Sequence, residues 1–186
     1  MDRQSQFVSS ARQLFEQKGY AEVGMREIAA HAGFSPVQAY RIGLTKIDLL
    51  AEISIALSDE QIEKITKKME RRVDENVSAF VHRYLLNLYV SDIKHIKIRR
   101  ESAAFGWMWS AAYEDRIRDQ VMTLLSPIIS VLTTEAHCDV SACCLAVWSL
   151  YYVGYRNAVV NGATAQECLD FISPSLKLLL QSKTHQ

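Results

Sequence analysis

The sequence predicts an all-α protein, and three properties of the chain support this. Only 7 of the 186 residues are glycine and 3 are proline, so few positions interrupt regular structure. Apolar residues recur at intervals of three and four along almost the whole chain, which is the spacing of one face of a helix. Few stretches alternate apolar and polar residues as a surface strand requires. With 49% hydrophobic residues, the chain can also bury a substantial core.

The overall charge is balanced, with 21 Lys and Arg residues against 21 Asp and Glu residues. No global positive field therefore indicates a nucleic-acid partner, and any DNA-binding face has to be local. The N-terminus lacks the apolar stretch of a signal peptide. The charge-free run 140–155 is shorter than the roughly 18 residues of a membrane span. We therefore expect a cytoplasmic protein with no membrane segment.

Three helices are predicted within the first 43 residues. The first ends at Gly19 and the second at Gly33, because a chain commonly leaves a helix at a glycine with positive φ. The third has a marked start, with Ser35 as N-cap, Pro36 at the first helical position and Gln38 placed to close a capping box. The apolar stripes are Phe7, Ala11, Leu14 and Phe15 in the first helix and Met25, Ile28, Ala29 and Ala32 in the second.

About three residues separate the second helix from the third, which is the spacing of a helix-turn-helix. Such a unit presents the N-terminal part of its second helix to the major groove of DNA. Val37, Gln38 and Arg41 are the exposed candidates there. Val37 could contact a thymine methyl group, and Arg41 a guanine or, preferably, a phosphate. Gln38 could bond an adenine or instead serve the capping box.

A series of residues in the first helices follows the order of a known family pattern: Ala11, Leu14, Phe15, Gly19, Tyr20, Met25, Ile28, Ala29, Gly33, Ser35, Tyr40, Lys46 and Leu49. In these residues the sequence resembles the tetracycline-repressor family. The resemblance implies a three-helix DNA-binding head, and gives Tyr40 and Lys46 roles on backbone phosphates, with Thr45 and the start of the fourth helix beside them. It also implies a helical ligand-binding domain and a homodimer built through the last two helices.

Three positions depart from the family pattern. Gly24 stands where a hydroxyl residue usually caps the second helix, Ile42 where a polar aromatic residue is common, and Gly43 where phenylalanine is usual. Ile42 and Leu44 are expected to replace the packing of that phenylalanine. An alternative function, prompted by Gly43 and the nearly neutral head, is a helical adaptor that has lost DNA binding. The predicted DNA-binding residues are Arg26, Ser35, Pro36, Val37, Gln38, Tyr40, Arg41, Thr45 and Lys46.

We place the DNA-binding head at residues 1–47 and the ligand-binding and dimerisation domain at 48–186, with a long fourth helix from Thr45 linking them. Pro127 and Pro174 are expected to begin, kink or break the helices in which they lie. The further helices are predicted near 75–90, 93–110, 114–134, 139–161 and 164–182.

Aromatic residues gather in two places in the second domain. A pocket lined by such rings would accept an apolar, aromatic or cationic small molecule, and ordinary core packing is the alternative. The candidate pocket residues are Phe105, Trp107, Trp109, Tyr113, Trp148, Tyr151, Tyr152 and Tyr155.

The sequence carries none of the motifs that mark common enzyme sites. It has no glycine-rich phosphate loop and no nucleophile elbow, and its scattered histidines His82, His95 and His137 form no constellation. We therefore expect neither an enzyme nor a cofactor nor a metal site. The favoured function is a ligand-responsive repressor that binds a near-palindromic DNA operator as a homodimer.

Overall fold

The computed structural model describes residues 2–66, 69–134 and 139–180, and within these ranges it contains nine α-helices, one short 3-10 turn and no strand. The prediction of an all-α fold is confirmed. None of the described helices is long and apolar enough to cross a bilayer. His137 and the predicted end of the last helix at 182 lie outside the described residues. The helices are α1 (Arg3–Lys18), α2 (Met25–His31), α3 (Pro36–Ile42), α4 (Lys46–Thr66), α5 (Val77–Lys94), α6 (Ile96–Phe105), α7 (Ala111–Thr134), α8 (Val140–Asn161) and α9 (Ala165–Leu180).

The helix-turn-helix forms as the sequence predicts. The turn between α2 and α3 contains Gly33 at φ 73°, a backbone conformation that favours glycine. The capping box of α3 is complete, because the Ser35 hydroxyl accepts from the Gln38 backbone N–H (3.3 Å) and the Gln38 side chain accepts from the Ser35 backbone N–H (2.8 Å). On α1, the Gln6 side chain donates to the Ala32 carbonyl (3.0 Å), which fastens that helix to the turn.

Contacts divide the chain into two compact units, the first formed by Met1–Glu60 with His95–Gln120 and the second by Gln61–Lys94 with Val121–Gln186. In the first unit, α1, α2 and α3 pack on one another and α6 packs on α1. The boundary between residues 47 and 48 is a functional prediction that this division does not test. The core of the first unit includes Phe7, Phe15, Ile28, Leu49, Leu50, Ile53 and Ile98, all with no more than a trace of exposed surface.

The second unit is held by the mutual packing of α5, α8 and α9. Tyr89 of α5 is fully buried and donates to the Tyr151 carbonyl on α8 (3.0 Å). Its ring stacks on the ring of Tyr151 with 4.6 Å between centroids. Burial raises the pKa of Tyr89 well above the usual range, so the hydroxyl is a permanent donor. Gly154 lies against the same hydroxyl, and this close approach leaves no room for a side chain.

The connection between α4 and α5 is organised by Arg83 of α5. Its guanidinium contacts the Glu75 carboxylate through two hydrogen bonds (2.7 and 2.6 Å) and also donates to the Glu70 carbonyl (3.0 Å). The hydrogen bonds from Arg83 are the main reason that the pKa of Glu75 falls to about 2. The described part of this connection is therefore tied to the first turns of α5.

The predicted helix starts or breaks at Pro127 and Pro174 are wrong, because α7 and α9 continue through both residues, whereas a kink at either proline stays a prediction. A proline inside a helix leaves the carbonyl four residues earlier without its backbone donor. For Pro127 that carbonyl belongs to Thr123, and the Ser126 hydroxyl donates to it (2.8 Å). The adjacent serine therefore supplies the hydrogen bond that the proline cannot make.

Candidate nucleic-acid interface

Helix α3 presents one polar and aromatic face to solvent. Val37 is 60% exposed, Tyr40 is 88% exposed and Arg41 is exposed, whereas Ala39 and Ile42 on the other side pack against the core of the first unit. An exposed tyrosine of this extent has no packing role inside the described chain. The face therefore has the composition and accessibility that a DNA-reading helix needs.

The turn after α3 accommodates two of the three departures from the family pattern. Gly43 adopts φ 77° and ψ 4°, a left-handed conformation that phenylalanine would occupy only with strain. Ile42 and Leu44 on either side are partly buried against the head core, as expected. At Gly24, the third departure, α2 begins without a side-chain cap, because glycine has no hydroxyl to accept from the first turn.

The start of α4 lies directly after this turn and is capped from within the chain. The Asp48 carboxylate accepts from the Thr45 backbone N–H (2.8 Å) and hydroxyl (2.6 Å), and the Thr45 hydroxyl accepts from the Asp48 N–H (3.2 Å). The hydroxyl of Thr45 is thus committed to Asp48 rather than pointing freely to a phosphate. Sequence analysis missed Asp48, although its spacing of three residues after Thr45 is that of a capping box.

Lys46, the first residue of α4, has a fixed position beside the connection between α1 and α2. Its ammonium lies 4.2 Å from the centroid of the Tyr20 ring and 3.4 Å from the Ala21 carbonyl oxygen. Sequence analysis treated Tyr20 only as a family marker, and no spacing rule could have paired it with a residue 26 positions further on.

In the first unit, ion pairs neutralise some of the basic side chains, so the remaining positive charge lies on a few others. Arg12 is paired with Glu60 and Glu16, and Lys18 is paired with Glu27. Within the described ranges, Arg26, Arg41 and Lys46 have no carboxylate within 4.0 Å, and Arg26 is exposed near the start of α2. A nearly neutral head can therefore still offer a local cationic face, as a phosphate backbone requires. Ser35 and Pro36 complete the set by forming the exposed start of α3.

The first group of predicted pocket residues lies in the first unit. Phe105 packs on Tyr20 with 5.2 Å between ring centroids, and Trp107 is almost fully exposed. Trp109 and Tyr113 are half-buried, and the Arg116 guanidinium lies 5.9 Å from the Tyr113 ring. Burial, with the carboxylate of a neighbouring glutamate, raises the pKa of Tyr113 to about 12. These four side chains thus have different environments.

The second group lies in the second unit and forms one aromatic cluster. Trp148 and Tyr151 stack with 5.3 Å between centroids, and Tyr155 stacks on Tyr151 at 6.4 Å. Tyr152 meets Trp148 edge-on and is half exposed. Tyr151 also donates to the carboxylate of Asp92. Much of this cluster is core, and only its Trp148 and Tyr152 edge has surface available to an effector.

A cleft of about 470 Å³ occurs elsewhere, between α1 and α4 of the first unit. It contains no aromatic side chain and is lined by Asp2, Ser5, Val8, Arg12, Glu52 and Ile53, among others. No group of three or more potential metal ligands occurs in the described part of the chain.

Comparison with known proteins agrees with the geometry of the head. Residues 7–53 match the sequence model of the bacterial regulatory proteins of the tetR family. No curated protein matches the chain by sequence.

Solved structures match the fold over almost the full length. A TetR/AcrR-family transcriptional regulator from Thermobifida fusca is 19% identical, with a TM-score of 0.68 and complete coverage of both chains. A putative TetR-family regulator from Syntrophomonas wolfei is 14% identical, with a TM-score of 0.71 and coverage of 99% of this chain and 98% of that one. The regulator FadR from Bacillus subtilis, solved with stearoyl-CoA, is 16% identical, with a TM-score of 0.68 and coverage of 95% and 97%. Residues 7–53 therefore carry the sequence pattern of the tetR family's regulatory proteins, and the whole chain has the all-α fold of solved TetR-family regulators.

Proposed function

We propose that this protein is a transcriptional regulator of the tetR family, a ligand-responsive repressor that binds a near-palindromic operator as a homodimer in the cytoplasm. The observation that carries the proposal is the exposed face of α3, where Val37, Tyr40 and Arg41 lie on a short helix. Lys46, whose ammonium has no carboxylate within 4.0 Å in the described part of the chain, follows at the start of α4. A dimer would place two such helices in successive major grooves, and DNA bound in this way excludes other proteins from the site.

The residues of this face have different proposed partners on DNA. Val37 and Arg41 face the base edges, where an apolar side chain meets a thymine methyl group and an arginine meets guanine or a nearby phosphate. Tyr40, Lys46 and Arg26 contact backbone phosphates and fix the register of the head. Ser35 and Thr45 mark the starts of α3 and α4, where the backbone N–H groups of the first turn favour an anion, although the N–H groups of Ser35 and Thr45 themselves donate within the caps.

The proposed effector is an apolar or aromatic small molecule. FadR from Bacillus subtilis, a structural relative, was solved with stearoyl-CoA, a ligand with a long apolar chain. The half-exposed edge formed by Trp148 and Tyr152 is the part of the predicted pocket that has surface to offer such a ligand. Long-chain acyl-CoA is therefore the first compound to add to a DNA-binding assay.

The test is fluorescence anisotropy of the purified protein with DNA from its own upstream region, across a salt series and beside an unrelated duplex. We expect specific binding that weakens steeply with salt, because phosphate contacts release counterions. A Tyr40→Ala, Lys46→Ala double variant should bind roughly tenfold to a hundredfold more weakly, with a smaller salt slope. Lys94→Ala, a charge removal at an exposed site outside the head, is the matched control and should bind as the parent does.

Absence of binding to every duplex at low salt would overturn the repressor proposal. The helical adaptor would then be the better description, and the engagement of Thr45 by Asp48 would be one physical reason for the loss. Equal loss of affinity in the double variant and in Lys94→Ala would show that the effect is general charge removal rather than contact by the head.

Gln38 gives a separate prediction about sequence preference. Its side-chain oxygen already accepts from the Ser35 N–H, which favours capping over the bidentate contact to adenine that needs both amide groups. We expect Gln38→Ala to lower stability by about 0.5–1 kcal/mol and to leave the order of preference among operator variants unchanged. Gln38→Glu retains the capping acceptor and should keep the parent's stability. Loss of preference at one base pair in Gln38→Ala would instead identify Gln38 as a base-reading residue.

A further inference from the structure

Lys46 contacts two groups of the connection between α1 and α2. The ammonium lies over the face of the Tyr20 ring, 4.2 Å from its centroid, within the range of a cation–π interaction. It also donates to the Ala21 carbonyl oxygen at 3.4 Å. A lysine ammonium has three hydrogens, so with one directed to the ring and one to the carbonyl, one remains for a phosphate oxygen.

The Tyr20 ring is held in place by two other aromatic side chains. Phe15 of α1 meets it edge-on, with 5.1 Å between centroids, and Phe105 of α6 lies 5.2 Å away on a tilted plane. Only 8% of Tyr20 is exposed. Because its ring cannot turn away, the surface that it offers to Lys46 is fixed by the core of the head.

We propose that Tyr20 is a positioning residue that holds the Lys46 ammonium at the start of α4, ready for a backbone phosphate. This inference rests on the proposed DNA-binding function. A free lysine side chain samples many rotamers, and ordering it on binding weakens the contact that it makes. A cation–π contact and a carbonyl that hold the ammonium beforehand remove part of that cost. Tyr20 itself touches no DNA in this arrangement.

The competing explanation is that Tyr20 only fills the core of the head. The two roles differ in their dependence on Lys46 and on the electrons of the ring. A core role needs the shape of the side chain, whereas a positioning role needs the negative face of an aromatic ring and a cation above it.

The first measurement needs no DNA. In NMR spectra of the free protein, the Lys46 protons next to the ammonium should resonate upfield, because they lie over an aromatic ring. The shift should persist in Tyr20→Phe and vanish in Tyr20→Leu. Lysine protons at ordinary positions in the parent protein would overturn the positioning role, whatever the protein does with DNA.

The second measurement is a double-variant cycle on operator affinity. With Lys46 present, Tyr20→Leu should bind DNA about two- to fivefold more weakly, and Tyr20→Phe should bind as the parent does. A trifluorinated phenylalanine at the same position, which keeps the shape but weakens the negative face, should fall between them. None of these changes should alter affinity when Lys46 is already alanine.

The outcomes separate this inference from the function on which it rests. Equal losses for Tyr20→Leu in the Lys46 and Lys46→Ala backgrounds would overturn the positioning role while leaving DNA binding intact. An upfield Lys46 signal in a parent protein that binds no duplex would overturn the proposed function, and with it any role of Tyr20 toward DNA. If Tyr20→Leu fails to fold, the fluorinated variant decides the question alone.

Discussion

A Gly154→Ala variant should lose about 1–5 kcal/mol of unfolding free energy, which is a large part of the stability of a domain of this size. A methyl group at this position would lie 2.1 Å from the Tyr89 hydroxyl oxygen and 2.9 Å from the Cys168 carbonyl oxygen. Both distances are far inside van der Waals contact, so α5 or α9 must move. The measurement is urea denaturation followed by circular dichroism.

Two terms decide the size of this loss. Overpacking costs about 1–3 kcal/mol, and displacing Tyr89 from the Tyr151 carbonyl adds about 1–3 kcal/mol for a buried hydroxyl without a partner. Alanine in a helix interior is about 1 kcal/mol more favourable than glycine, and this gain in helix propensity offsets part of the loss. The packing terms therefore exceed the gain in helix propensity, and the net effect is destabilising.

The matched control removes the nearest clashing atom. A Tyr89→Phe, Gly154→Ala double variant lacks the hydroxyl oxygen that the new methyl group would meet, so it should recover part of the stability lost in Gly154→Ala. If the two substitutions act additively, the clash with Tyr89 is not the cause of the loss. Gly154→Ala with the parent's stability would contradict the packing that the structure shows.

The sequence predicts the head well because its determinants are local. The capping box of α3 depends on Ser35 and Gln38, three residues apart, and the turns depend on single glycines at positive φ. Interactions of this kind are set by short-range backbone chemistry and need no knowledge of the rest of the fold. The family pattern adds Tyr40 and Lys46, which composition alone could not have assigned to phosphates.

The features that sequence analysis missed depend on contacts between distant parts of the chain. Lys46 at the start of α4 contacts Tyr20 in the connection after α1. Tyr89 of α5 lies against Gly154 of α8 in the second unit. At Pro127 in α7, the hydroxyl of the neighbouring Ser126 donates to the Thr123 carbonyl, and periodicity does not predict that contact. Periodicity locates the faces of helices but not the partners that those faces meet.

The aromatic residues illustrate the same limit in the regulatory half. Similar composition predicts a similar role for both groups, yet Phe105 is partly buried and packs against the core of the first unit, whereas Tyr151 is buried in the core of the second unit. Aromatic side chains serve cores and pockets equally well, and burial rather than identity separates the two uses. The ring-lined pocket therefore remains a proposal that effector binding has to test.

The dimer is the second prediction with a large expected effect. Exposed apolar side chains recur on α8 at a spacing close to whole turns, and two more lie seven residues apart on α9. Apolar surface repeated in this way on two packed helices fits a second copy of the chain, consistent with the proposed homodimer. These residues are Leu145, Val153 and Val160 on α8 and Phe171 and Leu178 on α9.

A Val153→Glu, Phe171→Glu variant should be monomeric in sedimentation experiments and should bind the operator about a thousandfold more weakly than the parent. The loss follows from avidity, since a monomer engages only one half-site and the effective concentration of the second head disappears. Carboxylates at exposed positions change the stability of a single chain little, so the fold should survive. Circular dichroism of the variant checks this.

The matched control is Val90→Glu, which places the same charge on α5 at a valine that is 58% exposed, against 50% for Val153. It should remain dimeric and bind DNA as the parent does. A Val153→Glu, Phe171→Glu protein that is still dimeric would exclude this face as the interface. A parent protein that is monomeric at the concentrations that bind DNA would remove the homodimer from the proposed function, because each head would then have to recognise its half-site alone.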